Sequence, residues 1–256
     1  LGIAVPKYMP VNTREALGFA VRATGLPAVL KTRRMGYDGK GQRVLRKPED
    51  LDEAWAHLGG QPLILEAFVP FERELSCLSV RTRRGEMAFY PVVENQHRDG
   101  ILRTAIPRAN DPLQSAAEDY ARRMAEHLDY VGVLAFEFFV AGGKLLANEI
   151  APRVHNSGHW SIEGAVCSQF ENHLRAIADL PLGAIGLRSP CAMVNFIGDA
   201  PPTSELAAIP DLHIHHYGKT PKPQRKVGHA TLLADNATVL QERLAQLNAL
   251  IARTAR

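Results

Sequence analysis

The chain has 256 residues, 46% hydrophobic and 22% charged, with 30 basic against 27 acidic side chains for a net charge of +3. That composition can bury a core as one large or two to three small domains, and it excludes disordered, collagen-like and coiled-coil chains, which need more net charge or a strict short repeat. The weak positive balance, without five like charges in a row, argues against nucleic acid, and no apolar stretch reaches the roughly 18 residues of a membrane helix.

Taken in chain order, the first element is a helix from about Thr13 to Thr24, with Asn12 and Glu15 at capping-box spacing and Gly25 as the stop. A short buried strand over Pro27–Lys31 runs into a glycine-rich turn, a second helix follows from Pro48 to Leu58, and Pro62–Val69 reads as a strand. Leu75–Thr82 and Glu86–Val93 flank the turn Arg83-Arg84-Gly85. A long helix opens at Asp111-Pro112 with Leu113, Ala117, Tyr120, Met124 and Leu128 on one face. Val131–Val140 and Leu145–Ile150 form a hairpin around Ala141-Gly142-Gly143, and Ser168 with Glu171 opens a helix to Ala178. Leu180–Cys191 shifts to Pro, Gly and Ser and reads as a domain boundary. Beyond it come a strand (Ala192–Ile197), alternating His213, His215 and His216 that read as structural, a basic loop, and a helix with Leu240, Leu244, Leu247 and Ile251 on one stripe.

Four groups of residues carry chemistry. Lys31 with Arg33, Arg34 and the run Gly36-Tyr37-Asp38-Gly39-Lys40-Gly41-Gln42 offers three glycines and several cations, which suits a polyphosphate or a flexible basic hairpin tip; it is not a Walker loop. Glu137 and Glu149 lie on the two strands of one hairpin, and paired carboxylates suit Mg²⁺ on substrate phosphates. A two-residue turn at Gly142-Gly143 would pair residue 137 with residue 148 and leave Glu149 on the other face, whereas a three- or five-residue turn would bring both glutamates to one face. Directly after Glu149, Arg153, His155, Asn156, Ser157 and His159 suit an anion or oxyanion site, with no third ligand placed to complete zinc. Lys219, Lys222, Arg225 and Lys226 crowd a Pro-rich loop that suits a phosphate monoester. Glu66 and Glu74 bracket Phe68-Val69, which fits a hinge with an adenine slot and an acid on the ribose.

Together these strings, with Tyr90-Pro91, Glu94-Asn95-Gln96-His97, Asp99-Gly100-Ile101-Leu102, Asn148-Glu149 through Trp160, Ser168-Gln169-Phe170-Glu171 and Leu174-Arg175-Ala176-Ile177, resemble the N5-carboxyaminoimidazole ribonucleotide synthases, ATP-grasp ligases of purine biosynthesis. The resemblance runs from about Pro6 to His229. It implies an α+β ATP-grasp fold: a small lobe over 1–65, a large lobe over 66–182, and a small β-rich C-terminal domain over 183–256. It implies ATP with Mg²⁺ (Mn²⁺ in its place) as cofactors. Lys31, Gly36, Tyr37, Asp38, Gly39, Lys40, Gly41 and Gln42 would hold the phosphates. Glu66, Ala67, Phe68 and Val69 would contact adenine, Glu74 the ribose and His97 the nucleotide. Asn148 and Glu149, with Glu137, would hold Mg²⁺-ATP. Bicarbonate would be phosphorylated to carboxyphosphate, held by Arg153, His155 and Asn156. Tyr37 and Asp38 would orient the amine of aminoimidazole ribonucleotide, and Lys219, Arg225 and Lys226 would take its 5′-phosphate.

Three departures from that pattern stand out: Met35 in place of a glycine, a basic loop one residue shorter, and no N-terminal nucleotide-fold domain. The last leads us to expect at best weak ATP binding and little activity from this chain alone, with a homodimer for the full-length protein. Cys77, Cys167 and Cys191, odd in number and far apart, suit reduced thiols in the cytoplasm. Two other readings stay open: a formate-dependent glycinamide ribonucleotide formyltransferase, which shares the spacing of the two glutamates, and a non-catalytic nucleotide-binding module.

Overall fold

The computed structural model describes residues 1–36 and 40–254. The small lobe is built from β1 (Tyr8–Val11), α1 (Arg14–Thr24), β2 (Ala28–Thr32), β3 (Gln42–Leu45), α2 (Asp50–Leu58) and β4 (Leu63–Ala67). Its strands form an antiparallel sheet in the order β1-β4-β2-β3. Leu30, Leu63 and Leu65 on the sheet meet Leu17 and Ala20 of α1 and Leu51, Ala54 and Leu58 of α2 in one buried cluster. The caps differ from the sequence expectation. Thr13, not Asn12, caps α1 by accepting from the Ala16 N–H, while Asn12 accepts from Arg33 across the loop. The second helix starts at Asp50, whose carboxylate accepts the Arg46 and Lys47 N–H groups and so turns the chain after Pro48.

The large lobe follows as β5 (Arg73–Arg81), β6 (Met87–Phe89), β7 (Val93–Arg98), β8 (Ile101–Pro107), α3 (Gln114–His127), β9 (Gly132–Ala141) and β10 (Lys144–Ala151). A 3-10 turn (Asn156–Gly158), α4 (Ser161–Gly164) and α5 (Gln169–Ile177) then cross the sheet. The last third adds β11 (Cys191–Ile197), α6 (Thr203–Leu206), β12 (Leu212–His216), β13 (Lys226–Leu233) and α7 (Ala237–Thr254). Among the described residues these strands form one antiparallel sheet ordered β10-β9-β5-β7-β8-β11-β13-β12, with β6 paired to β5. The strands beyond residue 190 thus extend the large lobe's sheet, through Met193 and Val194 paired with Ala105 and Thr104.

One face of that sheet packs Leu75, Cys77, Phe136 and Phe138 against Ala117 and Ala121 of α3. The small alanines, not the larger residues of the expected stripe, are the buried ones, and Leu128 is 46% exposed because the helix ends at His127. Farther along, Val194, Phe196, Ala230 and Leu232 pack on Leu240, Leu244, Leu247 and Leu250 of α7. The opposite face carries the polar residues that matter below.

Candidate active site

The hairpin of β9 and β10 turns on Gly142 and Gly143, both at positive φ (56° and 69°), the two-residue turn whose backbone glycine adopts without strain. Pairing runs regularly from Lys144↔Ala141 to Ala147↔Phe138, then slips by one, so that Glu149 and not Asn148 faces Glu137. A β-bulge at Asn148 causes the slip: one extra residue on β10 reverses the alternation and returns Glu149 to the face of Glu137. Both glutamates therefore share a face with a two-residue turn, which pairing by the turn alone would not allow. The bulge also turns Asn148 toward the small lobe, where its Oδ1 accepts from Lys31 Nζ at 3.1 Å. Lys31 pairs at the same time with Glu66 at 2.7 Å, so one ammonium ties β2 to β4 and both to the large lobe.

Glu137 is buried and Glu149 exposed, so the acid pair stands at the rim of the sheet. Among the described residues Glu137, Glu149 and His155 each bring one donor atom within 4.8 Å of the others. Burial, then the charge of Glu149, push the Glu137 carboxyl up to about 7. A divalent cation between the two acids would relieve that repulsion, and their hard oxygen donors suit Mg²⁺.

After β10 the segment 153–163 runs across the sheet and meets one strand after another. His155 Nε2 lies 3.6 Å from Glu137 on β9, and the Ser157 hydroxyl accepts from Ser76 on β5 at 2.9 Å. Asn156 exchanges two amide bonds with Asn195 on β11, at 2.7 and 3.1 Å. The His159 ring sits 5.2 Å from the His229 ring on β13, and Glu163 takes His215 of β12 at 2.7 Å. His215 and His229 stack with ring centroids 4.4 Å apart, and the Tyr217 hydroxyl meets His229 Nδ1 at 2.7 Å. Gln169, fully buried at the start of α5, accepts from the His155 N–H and donates to the His155 carbonyl and to His159 Nδ1. Gly158 permits this crossing, because a Cβ there would come within 2.2 Å of Leu78 and 2.6 Å of Gln169.

Burial and neighbouring cations keep the rings neutral: His155 is lowered to about 3, His159 to about 4 and His229 to about 3. His97 goes the other way. Burial alone would lower it, but Glu74 at 2.9 Å outweighs that and raises it. The charge of Lys226 acts on Glu137, His97, His155 and His159 together. Lys219 stands over the Tyr217 ring at 5.2 Å and lines a cavity of about 280 Å³ with Thr203 and His216. Arg225 donates to the Thr220 carbonyl, and Arg153, exposed, donates to Val154.

In the small lobe, the Thr32 N–H donates to the Gly41 carbonyl at the base of the loop, and a Cβ at Gly41 would lie 2.8 Å from the Thr32 hydroxyl. Gly36, Lys40 and Gln42 flank that loop; the expectations for Tyr37, Asp38 and Gly39 fall outside the described residues. Met35 takes a positive φ of 63°, the conformation for which glycine is the usual residue. Phe68 is exposed, and Glu66, Ala67 and Val69 are partly so, at the end of β4. Ser76, Asn195, Gln169, Glu163 and His229 were not anticipated as site residues. Only Ser76 had a local signal, its alternation with Glu74 on one strand.

A four-stranded lobe joined by a lysine to a larger sheet that carries paired carboxylates defines an ATP-grasp protein. The ATP-grasp domain family matches residues 1–170, and the phosphoribosylaminoimidazole carboxylase C-terminal domain family matches residues 191–243. The N5-carboxyaminoimidazole ribonucleotide synthase of Pseudomonas aeruginosa is 57% identical over 251 residues, 98% of this chain and 70% of its own length. That of Vibrio cholerae is 42% identical, over 96% of this chain and 67% of its own. The crystal structure of the Thermus thermophilus synthetase superposes with a TM-score of 0.90 at 54% identity, covering 97% of this chain and 68% of that one. The Aspergillus clavatus synthase, in complex with ADP and 5-aminoimidazole ribonucleotide, gives 0.89 at 34% identity, covering 98% and 69%. The chain belongs to the N5-carboxyaminoimidazole ribonucleotide synthase family. No helix among the described residues is long and apolar enough to cross a membrane.

Proposed function

We propose that this chain supplies the ATP-grasp and C-terminal parts of an enzyme that carries out the ATP- and bicarbonate-dependent carboxylation of the amine of 5-aminoimidazole ribonucleotide in purine biosynthesis, in the cytoplasm and as a homodimer in the full-length protein. The observation that carries this is the juxtaposition of Glu149 and Glu137 beneath the His155–Asn156 segment, with Lys31 reaching the adjacent Asn148 from the small lobe. Phosphoryl transfer demands mainly positioning and charge neutralisation, and the site offers both. Lys31 and the loop of Gly36, Lys40 and Gln42 face the phosphates, the 66–69 segment the adenine, Glu74 the ribose and His97 the nucleotide. Glu137 and Glu149 hold Mg²⁺, with Asn148 beside them; that ion, when bound, neutralises the triphosphate.

Arg153, His155 and Asn156 hold carboxyphosphate by donating to its oxyanions, a role for which a neutral, buried imidazole is suited. Asn156 is itself held by Asn195, so its amide is fixed before any ligand arrives. Lys219, Arg225 and Lys226 receive the ribotide phosphate, with Tyr37 and Asp38 at its amine.

Release of phosphate from ATP by the full-length protein, measured with each substrate pair, tests the reading. It should require Mg²⁺, bicarbonate and 5-aminoimidazole ribonucleotide together. Turnover with formate and glycinamide ribonucleotide instead, or nucleotide binding indifferent to Mg²⁺, would overturn it.

A further inference from the structure

We propose that Ser157, backed by Ser76, locks His155 as the tautomer protonated on Nε2, making this ring a hydrogen-bond donor to the anion beside Glu137 and not a third ligand of the metal. The inference deepens the carboxylation reading and rests on it for its kinetic half alone.

The proton can be placed because one bond in the chain admits a single direction. The Ser157 backbone N–H, which can only donate, points at His155 Nδ1 at 3.4 Å. That contact is long, but its direction gives Nδ1 the lone pair, and the shorter hydroxyl bond holds it there. The Ser157 hydroxyl lies 2.9 Å from the same nitrogen and so donates to it as well. Its oxygen is then left to accept, and Ser76 Oγ supplies the proton at 2.9 Å. Both serines are fully buried, and Ser76 lies directly across from Glu137 in the β5–β9 register, so no water competes for these bonds.

A neutral imidazole with Nδ1 accepting has its proton on Nε2, the atom 3.6 Å from Glu137 Oε1. That separation is too long for a direct hydrogen bond, so the Nε2–H is not committed to Glu137 and can donate to an anion or water lying beside the pair. A protonated nitrogen cannot coordinate a cation, so His155 is set apart from Glu137 and Glu149 although its atoms fall in the same cluster. Gln169 supports the arrangement from the backbone side: its amide pairs with both the N–H and the carbonyl of His155 and fixes the main chain that carries the ring. Ser76, Ser157 and Gln169 are thus positioning residues, acting through His155 on the reacting anion.

Nitrogen-15 NMR of histidine-labelled chain, assigned with a His155→Gln variant, reads the tautomer without turnover, so it holds or fails apart from the proposed reaction. In the unmutated chain Nε2 should resonate as a protonated nitrogen and Nδ1 as a bare one, unchanged when Mg²⁺ saturates. Ser157→Ala should admit a measurable share of the Nδ1-protonated form. It should also lower kcat about tenfold, in the range usual for lost supporting bonds, while KM for ATP stays within about twofold. A bare Nε2 in the unmutated chain, an Nε2 resonance that becomes metal-bound on adding Mg²⁺, or an unchanged tautomer in Ser157→Ala would each overturn the proposal. The spectrum of the unmutated chain decides even if that variant does not fold.

Discussion

Glu149 stands directly opposite Glu137 because Asn148 bulges out of β10, and the same bulge hands Asn148 to Lys31. One extra residue thus does two things. It brings a second carboxylate onto the face of the first, and it attaches the small lobe to the large one within one residue of that pair. Regular pairing from the glycine turn would have put an amide where the second acid now sits.

Glu137 gives the folded chain an unusual pH dependence in the absence of divalent ion. Its carboxyl rises from an ordinary value of about 4.3 to about 7 on folding. Between those values the folded state keeps a proton that the unfolded chain releases, so stability falls as pH rises through this window. Glu137→Gln removes that slope and stabilises the chain at pH 8 by on the order of 2 kcal/mol. Denaturant titrations at pH 5 and pH 8 check this, with Mg²⁺ stabilising the unmutated chain and not the variant.

Asn148→Ala leaves the bulge to the backbone but removes the oxygen that Lys31 donates to. A hydrogen bond from a charged donor contributes about 1.5–3 kcal/mol, so ATP binding should weaken roughly tenfold to a hundredfold. Isothermal titration with Mg²⁺-ATP measures it, and retained Mn²⁺ binding by the two glutamates would show that the acids stay in place.

Gly158→Ala should cost about 2–3 kcal/mol, because its Cβ would strike Leu78 and Gln169, neither of which can retreat from the core. Thermal unfolding reads the loss. Weaker histidine order in the 155–159 segment by NMR should accompany it.

Asp111 holds the entry to α3 by accepting from the Leu113 N–H, and it takes Arg73 in two bonds of 2.6 and 3.1 Å. Burial would raise its carboxyl, but the Arg73 bonds outweigh that and hold it below the usual range. The stability it contributes is present above about pH 4 and is lost as pH falls through the depressed value. Asp111→Asn should flatten the acid limb of the stability curve and cost about 2 kcal/mol at pH 7, read by urea unfolding at pH 3 and pH 7.

Much of this was legible in the sequence, with identifiable exceptions. Ser168 caps α5 as its spacing with Glu171 implies, because a cap is a local bond between neighbours in the chain. Asn12 was the wrong cap for α1, since the adjacent Thr13 competes for the same N–H groups. The hairpin β7–β8, turned at Asp99 and Gly100, left little trace as a repeating pattern, because His97, Arg98 and Arg103 interrupt its alternation. Gln169, Asn195 and His229 were not legible as site residues, as each meets the 153–163 segment from a distant part of the chain.

Local chemistry by itself settled which residues could bind anions and cations: acids at 137 and 149, a cationic glycine loop, and a run of donors after residue 152. Periodicity and turn residues settled most of the elements that carry them. Only the folded sheet decided which acids meet, through a bulge in the edge strand β10 whose register is set against β9. Only the fold decided where the His155 proton sits, because the serine that sets it takes its own donor from a strand about eighty residues earlier in the chain.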